Sequence, residues 1–326
     1  MTPSGGASAA GTEVAGVAVR AGIRAPSQHN TQPWLFRVRS DAVEVLVDRG
    51  RVLRASDPEG RGADLACGAA LCNMRVAVAA TGRQAVVEVL PDPHDPDVAG
   101  LVRIGGARTV TPEDHALAGA VARRTTNRRP FVDRPVPRRL SSALSAAAEV
   151  EGARLLVLSP AQLDVFAELL RRADHLLAED AEYRRELADW THDGGRADGV
   201  PASAGGPCPE AGALLALRDF RPDERARPAA AFEQDPLVAV LTTATDTRRH
   251  RVLAGVAMER VLLAATARGL SASFLPQPLE VEDTRSRLVE ALGGCPQTAL
   301  RIGHGYPGVA TPRRPPGDVI IGAGGE

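Results

Sequence analysis

The 326-residue sequence contains no lysine; all 39 of its basic residues are arginine. That absence excludes Schiff-base chemistry on a lysine amine and the lysine-bearing phosphate loop of P-loop enzymes. Every cationic task falls to arginine, whose planar fork suits bidentate contact with phosphate. A GC-rich coding bias, suggested by the abundant alanine, accounts for part of the absence. Aromatics make up 3% of the chain, too few rings for stacking a single nucleic-acid strand. Net charge is nearly absent too. Forty acidic residues stand against 39 basic ones, which excludes a globally basic nucleic-acid binder and a polyacidic tail protein. The four cysteines, Cys67, Cys72, Cys208 and Cys295, form no CxxC pair and read as small buried hydrophobes, so no metal site is expected. No apolar run reads as long enough to cross a membrane. Residues 1–11 are small and polar, without the basic and apolar regions of a signal peptide, and read as a flexible tail. A cytoplasmic location, with no nucleic-acid or membrane partner, is the resulting expectation.

With 44% apolar and 24% charged residues, the chain can bury a sizeable core as one large domain or two ordinary ones. Glu13 to Gly22 suits a helix that stops before Pro26. The alternating runs Trp34–Arg39 and Ala42–Val47 read as a hairpin. Asp64 to Ala80 is apolar almost all round and reads as a buried helix. Strands follow at Ala85–Leu90 and Leu101–Ile104. The second half repeats the order. Arg138–Val150 reads as a helix, Arg154–Leu158 as a strand and Ala161–Trp190 as a broken amphipathic helix. Leu237–Thr242 reads as a buried strand, Thr247–Arg268 as a second long helix, Val281–Leu292 as a short one and Ala299–Ile302 as the last strand. The endings Leu101-Val-Arg-Ile-Gly105 and Leu300-Arg-Ile-Gly303 match. We read this as an internal duplication, a pseudo-twofold body with two long helices crossing at its centre. Residues 12–110 form the first half and 111–326 the second. The Gly- and Pro-rich stretch 191–235 has no counterpart in the first half and reads as a partly ordered cover.

Two stretches carry chemistry. Ala25-Pro-Ser-Gln-His-Asn-Thr-Gln-Pro-Trp34 sets Ser27, Gln28, His29 and Asn30 between prolines. Such a loop offers many hydrogen-bonding groups at little ordering cost, although a capped helix end with a tight turn reads the same way. Arg123-Arg-Thr-Thr-Asn-Arg-Arg-Pro-Phe131 packs like charges that repel unless an anion joins them; a solvated basic turn is the alternative. A further arginine pair, Arg313 and Arg314, stands between prolines. Two arginine clusters on stiffened segments suit a phosphate gripped from two sides.

On these residues the sequence resembles the flavin-dependent nitroreductase family, and within it the Acg-like FMN-binding branch. The proline loop is similar to the family's APSxxNxQPW. Arg124-Thr-Thr-Asn-Arg128 is similar to its RxSx(K/R) motif, and Arg313-Arg314 falls where the family has a C-terminal cationic grip. The resemblance spans about residues 12 to 318. It implies an α+β nitroreductase-like fold with antiparallel sheets, a long-helix core and a lid insertion. It implies FMN as cofactor and NAD(P)H as electron donor. Arg124, Arg313 and Arg314 would hold the phosphate. Arg128 or Arg129 would reach the flavin N1/C2 edge, with Thr126 between the motif's arginines. Pro26, Ser27, Gln28, His29 and Asn30 would line the ring and ribityl chain, and Ser271 to Phe274 would approach the ring face. The family is usually a homodimer with two such sites. Here the proline loop occurs only in the first half and the arginine motif only in the second, so the duplicated chain would keep one complete site, as a monomeric pseudo-dimer or a homodimer.

The implied activity is NAD(P)H-dependent reduction of a small electrophilic acceptor through FMN, with no catalytic acid or base required. An alternative is FMN storage, the stretch 191–235 acting as a lid that blocks turnover. A weaker third is a dehydrogenase whose small substrate fits beneath that lid.

Overall fold

A computed structural model describes residues 6–210, 212–220, 229–306 and 308–322. The first helix, α1 (Gly6–Gly22), starts earlier than the sequence pattern predicts. Residues 6–11 of the expected tail belong to it, and residues 1–5 lie outside the described residues. Strands β1 (Trp34–Val38) and β2 (Ala42–Val47) form the hairpin, with Phe36 opposite Val45. Their alternation buries Trp34, Phe36, Val43 and Val45. Helix α2 (Arg61–Ala80) leads into β3 (Arg83–Val89) and β4 (Val98–Ala107). Helix α3 (Pro112–Arg123) was not assigned from the apolar pattern. Its signature is at its start: Thr111 and Asp114 form a capping box and Pro112 opens the first turn.

The second half runs α4 (Arg138–Glu149), β5 (Arg154–Val157), α5 (Pro160–Glu179) and α6 (Ala181–Asp189). The break expected in the long amphipathic helix falls at Asp180, whose carboxylate accepts the Glu182 and Tyr183 amides and so starts a new helix. Then come β6 (Leu237–Thr243), α7 (Arg248–Ala267), β7 (Ser271–Phe274), α8 (Glu282–Leu292), β8 (Cys295–Gly303) and β9 (Ile320–Ile321).

Two sheets result. The first has the order β9-β1-β2-β4-β3 and the second β7-β8-β6-β5. Every pairing is antiparallel except β9 with β1. Within them, β1-β2-β4-β3 and β5-β6-β8-β7 repeat one order, with a long helix between the second and third strands in sequence each time. Because β9 returns to the first sheet, the C-terminal segment closes against the first half.

Helices α2 and α7 cross at the centre of a core that draws on both halves. They touch backbone to backbone at two glycines. A Cβ on Gly68 would lie 2.0 Å from the Val252 carbonyl oxygen, and one on Gly255 would lie 2.1 Å from that of Leu65. Helix α2 revises one expectation. Its length and apolar composition would suffice to cross a membrane, yet 78% of the qualifying stretch is buried inside the protein. An all-round apolar helix is what the centre of a large core requires.

The insertion 191–235 carries two short parallel pairings, Thr191–His192 with Val200–Pro201 and Cys208–Pro209 with Ala229–Ala230. Residues 211 and 221–228 of it lie outside the described residues. Its anchors are specific. Gln32 Nε2 donates to the Ala197 carbonyl at 2.8 Å, Arg51 pairs with Asp198, and Glu233 pairs with the buried Arg301 at 3.0 Å.

Candidate functional site

The proline loop is wound tightly. His29, Asn30 and Gln32 all have positive φ, at 47°, 55° and 53°. Side chains other than glycine seldom adopt that region, at a cost of about 1–3 kcal/mol each. The surroundings hold the loop there. Ser27 Oγ accepts the Gln32 amide at 2.9 Å, and the Asn30 and Thr31 amides close turns onto Ser27 and Gln28. Trp34 is fully buried and anchors the loop in the core. Asn30 Nδ2 donates to the carbonyls of Gly199 and Pro312, and its Oδ1 accepts from Arg313 at 2.9 Å. One amide thus ties the loop to the insertion and to the C-terminal segment.

A cavity of about 270 Å³ opens beside this loop. Pro26, Ser27, Gln28 and His29 form one wall. Thr126, Arg128 and Phe274 come from the second half, while Leu65, Ala66 and Met258 give an apolar floor from the two central helices. Gly205, Leu217, Arg218 and Phe220 of the insertion cover it. Asp57, buried at its edge, accepts the Gly62 and Ala63 amides at 2.9 and 3.0 Å and so caps the start of α2. Burial pushes its carboxyl up to about 7. Asp57→Ala should lower stability by about 0.5–2 kcal/mol through the lost cap, read as an earlier midpoint in urea unfolding.

Arg61, Arg128, Arg218 and Arg285 line the cavity together with the carboxylates of Asp57, Glu59, Glu280 and Glu282, and further arginines lie behind the proline loop. Arg128 donates to the Ala204 carbonyl at 3.2 Å and lies over the Phe220 ring, 4.7 Å from its centroid. Burial, with repulsion from Arg218 and Arg124, brings its pKa down to about 10. Arg129, the next residue, is exposed, so only Arg128 reaches the cavity. Arg124 and Arg313 stand behind the loop, and both donate to the Arg24 carbonyl. Burial and then the charge of Arg124 bring Arg313 down to about 9. Within this group the buried carboxylate is Glu259 on α7, 3.3 Å from Arg124 Nε.

Several donors here lack acceptors. Arg313 Nε and Arg218 Nε are buried without a hydrogen-bond partner, and Arg124 Nε has only the ion-pair contact to Glu259. His29 adds another. Arg218 Nη1 can only donate to His29 Nε2, at 3.3 Å, which leaves the ring proton on Nδ1, and that atom has no partner. Burial, then Arg218 and Arg128, keep the imidazole neutral by holding its pKa well below the usual value. Orphaned buried donors are costly, about 1–3 kcal/mol each. A ligand rich in acceptors and anionic at one end would satisfy them.

Of the residues expected at the site, Asn30, Arg124, Arg129, Ser271, Arg313 and Arg314 do not line the cavity; Arg124, Asn30 and Arg313 stand behind the proline loop, and Arg314 and Ser271 are engaged elsewhere. Arg314 turns away from Arg313: its guanidinium donates to the Asp318 and Gln32 carbonyls and lies 3.6 Å from Asp48. Proline flanks stiffen the backbone but leave successive side chains on opposite sides. Ser271 donates to the Gly305 carbonyl at 3.3 Å and does not line the cavity, whereas Ser273 does. Arg24, Arg218, Glu259 and Glu280 also take part, although no sequence motif marks them as site residues. Arg218 pairs with Glu280, which also accepts from Gln28 Nε2 at 2.7 Å. No local signal marked them, because each is defined by a partner distant in sequence.

No family model matches the chain. Two Mycobacterium tuberculosis proteins that carry the name "Putative NAD(P)H nitroreductase" do. Rv3131 is 37% identical over 311 residues, covering 91% of this chain and 88% of its own length. Acg is 32% identical over 316 residues, covering 95% and 96%. Among solved structures, a nitroreductase with bound FMN from Desulfitobacterium hafniense covers 63% of this chain and 97% of its own, at 17% identity and a TM-score of 0.41.

Proposed function

The chain belongs to the nitroreductase family, in the company of Rv3131 and Acg, and from that premise we propose that it is an FMN-dependent NAD(P)H oxidoreductase. The observation that carries this reading is the covered cavity walled by the proline loop and Arg128, with the buried donors His29 Nδ1 and Arg218 Nε at its lining and Arg313 Nε behind the loop, all without an acceptor. FMN matches those donors: a phosphate that only accepts, and a ring edge of carbonyl and nitrogen acceptors. Arg124 and Arg313, behind the proline loop, would hold the phosphate. Arg128 would face the flavin N1/C2 edge, where a fixed cation would stabilise negative charge. Pro26, Ser27, Gln28, His29 and Thr126 line the ring and ribityl chain, with His29 offering its Nδ1–H. Asn30 acts through Arg313, which it orients.

When bound, FMN supplies two-electron transfer from NAD(P)H to a small electrophilic acceptor. The chain's own contribution is binding, orientation and exclusion of water. Leu217 and Phe220 close the cavity from the insertion, and the Arg218–Glu280 pair latches that cover to the second half. The repeated strand order supports an ancestral duplication in which the halves 12–110 and 111–326 replace two protomers and build one FMN site. On this reading a single chain is sufficient for binding. An FMN store has no support in the relatives, which are named as reductases.

The purified chain should be yellow, and NADH or NADPH added without oxygen should bleach its flavin absorbance. A colourless chain that takes up no FMN on reconstitution would remove the cofactor. Bound flavin that neither nucleotide reduces would remove the electron donor.

A further inference from the structure

Glu259 plays no part in the function proposed above, yet its position is unusual. It sits on α7 where that helix crosses α2, and it has no exposed surface. Neither carboxylate oxygen has a hydrogen-bond partner. A buried carboxylate in that state is expensive unless a charge compensates it. The compensation comes from Arg124, at 3.3 Å, and from Arg313 farther out. From α2, Asn73 stands beside it without a well-formed hydrogen bond, and Cys72 faces it with a thiol that burial keeps protonated. The groups around Glu259 are therefore two arginines, a neutral amide and a neutral thiol.

We propose that Glu259 is the resident counter-ion of the arginine cradle and that it takes up a proton when a phosphate monoester arrives. This rests on the FMN reading. The argument is one of charge balance. Without a ligand, Arg124, Arg128 and Arg313 repel one another, and one buried carboxylate offsets part of that repulsion. A phosphate dianion bound to Arg124 and Arg313 offsets it instead. The carboxylate then loses its attraction to the arginines and gains a like-charged neighbour. It already lies near neutrality, where burial pushes it up to about 7 while Arg124 pulls it down, so a modest further rise protonates it at physiological pH. The proton comes from solvent, goes to a carboxylate oxygen of Glu259, and leaves again when the phosphate does. Affinity for the phosphate therefore falls as pH rises, because the bound state holds more protons.

The test is calorimetric titration of the full chain, freed of flavin, with FMN at pH 8 in buffers of different ionisation enthalpy. The phosphate of FMN is already a dianion there, its second pKa being about 6, so it releases almost nothing. Uptake of roughly 0.4 proton per FMN is expected for a rise of about one unit in the carboxyl pKa, more for a larger rise, with Kd rising by less than about tenfold per pH unit. Riboflavin, which lacks the phosphate, should bind without uptake. E259Q should bind FMN with no uptake. An infrared difference spectrum of the unaltered chain gives a second readout: FMN should convert a carboxylate band into that of a buried carboxylic acid, a change that protonation of His29 does not produce. FMN binding without proton uptake, or uptake that persists in E259Q, overturns the exchange and leaves the FMN reading standing. No binding of FMN at all overturns both.

Discussion

Arg313→Ala should cost about 1.5–3 kcal/mol of FMN binding, the range for a hydrogen bond to a charged group. That is roughly a ten- to hundredfold weaker Kd, read by quenching of flavin fluorescence. Arg314→Ala should change Kd by less than about twofold, since its guanidinium is already engaged by Asp48, Asp318 and Gln32, whereas Arg313 keeps a buried Nε without an acceptor beside Arg124. The pair is informative because the two residues are adjacent and chemically identical. If Arg314→Ala released FMN as readily as Arg313→Ala, the assignment of the phosphate to the Arg124–Arg313 side would be wrong. Arg313 also holds the Asn30 amide and the Ala25 carbonyl, at 2.9 and 3.1 Å. Its loss therefore loosens the proline loop as well, and unfolding of the FMN-free variant should be measured alongside. A fall in FMN affinity far larger than any fall in stability separates the two effects.

Gly68→Ala should destabilise the chain by about 3 kcal/mol, the upper end for overpacking a core, against the usual direction for that substitution in a helix. Propensity alone favours alanine by about 1 kcal/mol. The new methyl would sit 2.0 Å from the Val252 carbonyl oxygen and 2.9 Å from the Gly255 Cα. Those are backbone atoms of α7 and cannot rotate aside, so the two helices must separate and open the core they share. Gly255→Ala meets the mirror-image clash with Leu65. Gly106→Ala, with open space around its Cβ, should stay within about 0.5 kcal/mol. Chemical unfolding of the three variants checks the ordering. Equal stability of Gly68→Ala and Gly106→Ala would mean that the close helix crossing does not hold in solution.

Much of the site was legible because its two strongest parts are local. The proline loop and the arginine run each concentrate unusual residues within ten positions, and each keeps its identity wherever the chain takes it. The insertion 191–235 was visible as a stretch without a counterpart, although what it covers was not. Helix α3 escaped the apolar pattern because its exposed surface is mixed, and its capping box was the only clear mark. The choice between Arg128 and Arg129 could not be made from spacing. It depends on the bridge of Thr126 to Ala272 and on the Arg301 side chain that holds the Arg129 carbonyl, so that Arg128 turns inward.

Chain order and residue type alone determined most of the elements, α3 excepted, the two long helices and the segments that carry charge and hydrogen-bonding groups. Periodicity and turn chemistry act over a few residues, and that information is written in the sequence. Only the folded chain decided which arginines share a space, which of them already have a carboxylate, and which buried donors have no acceptor. Those are properties of groups separated by 100 to nearly 300 positions, as with Arg24, Arg124, Glu259 and Arg313. Coulomb energy and desolvation depend on distance in space and on burial, and neither is fixed until the core has closed.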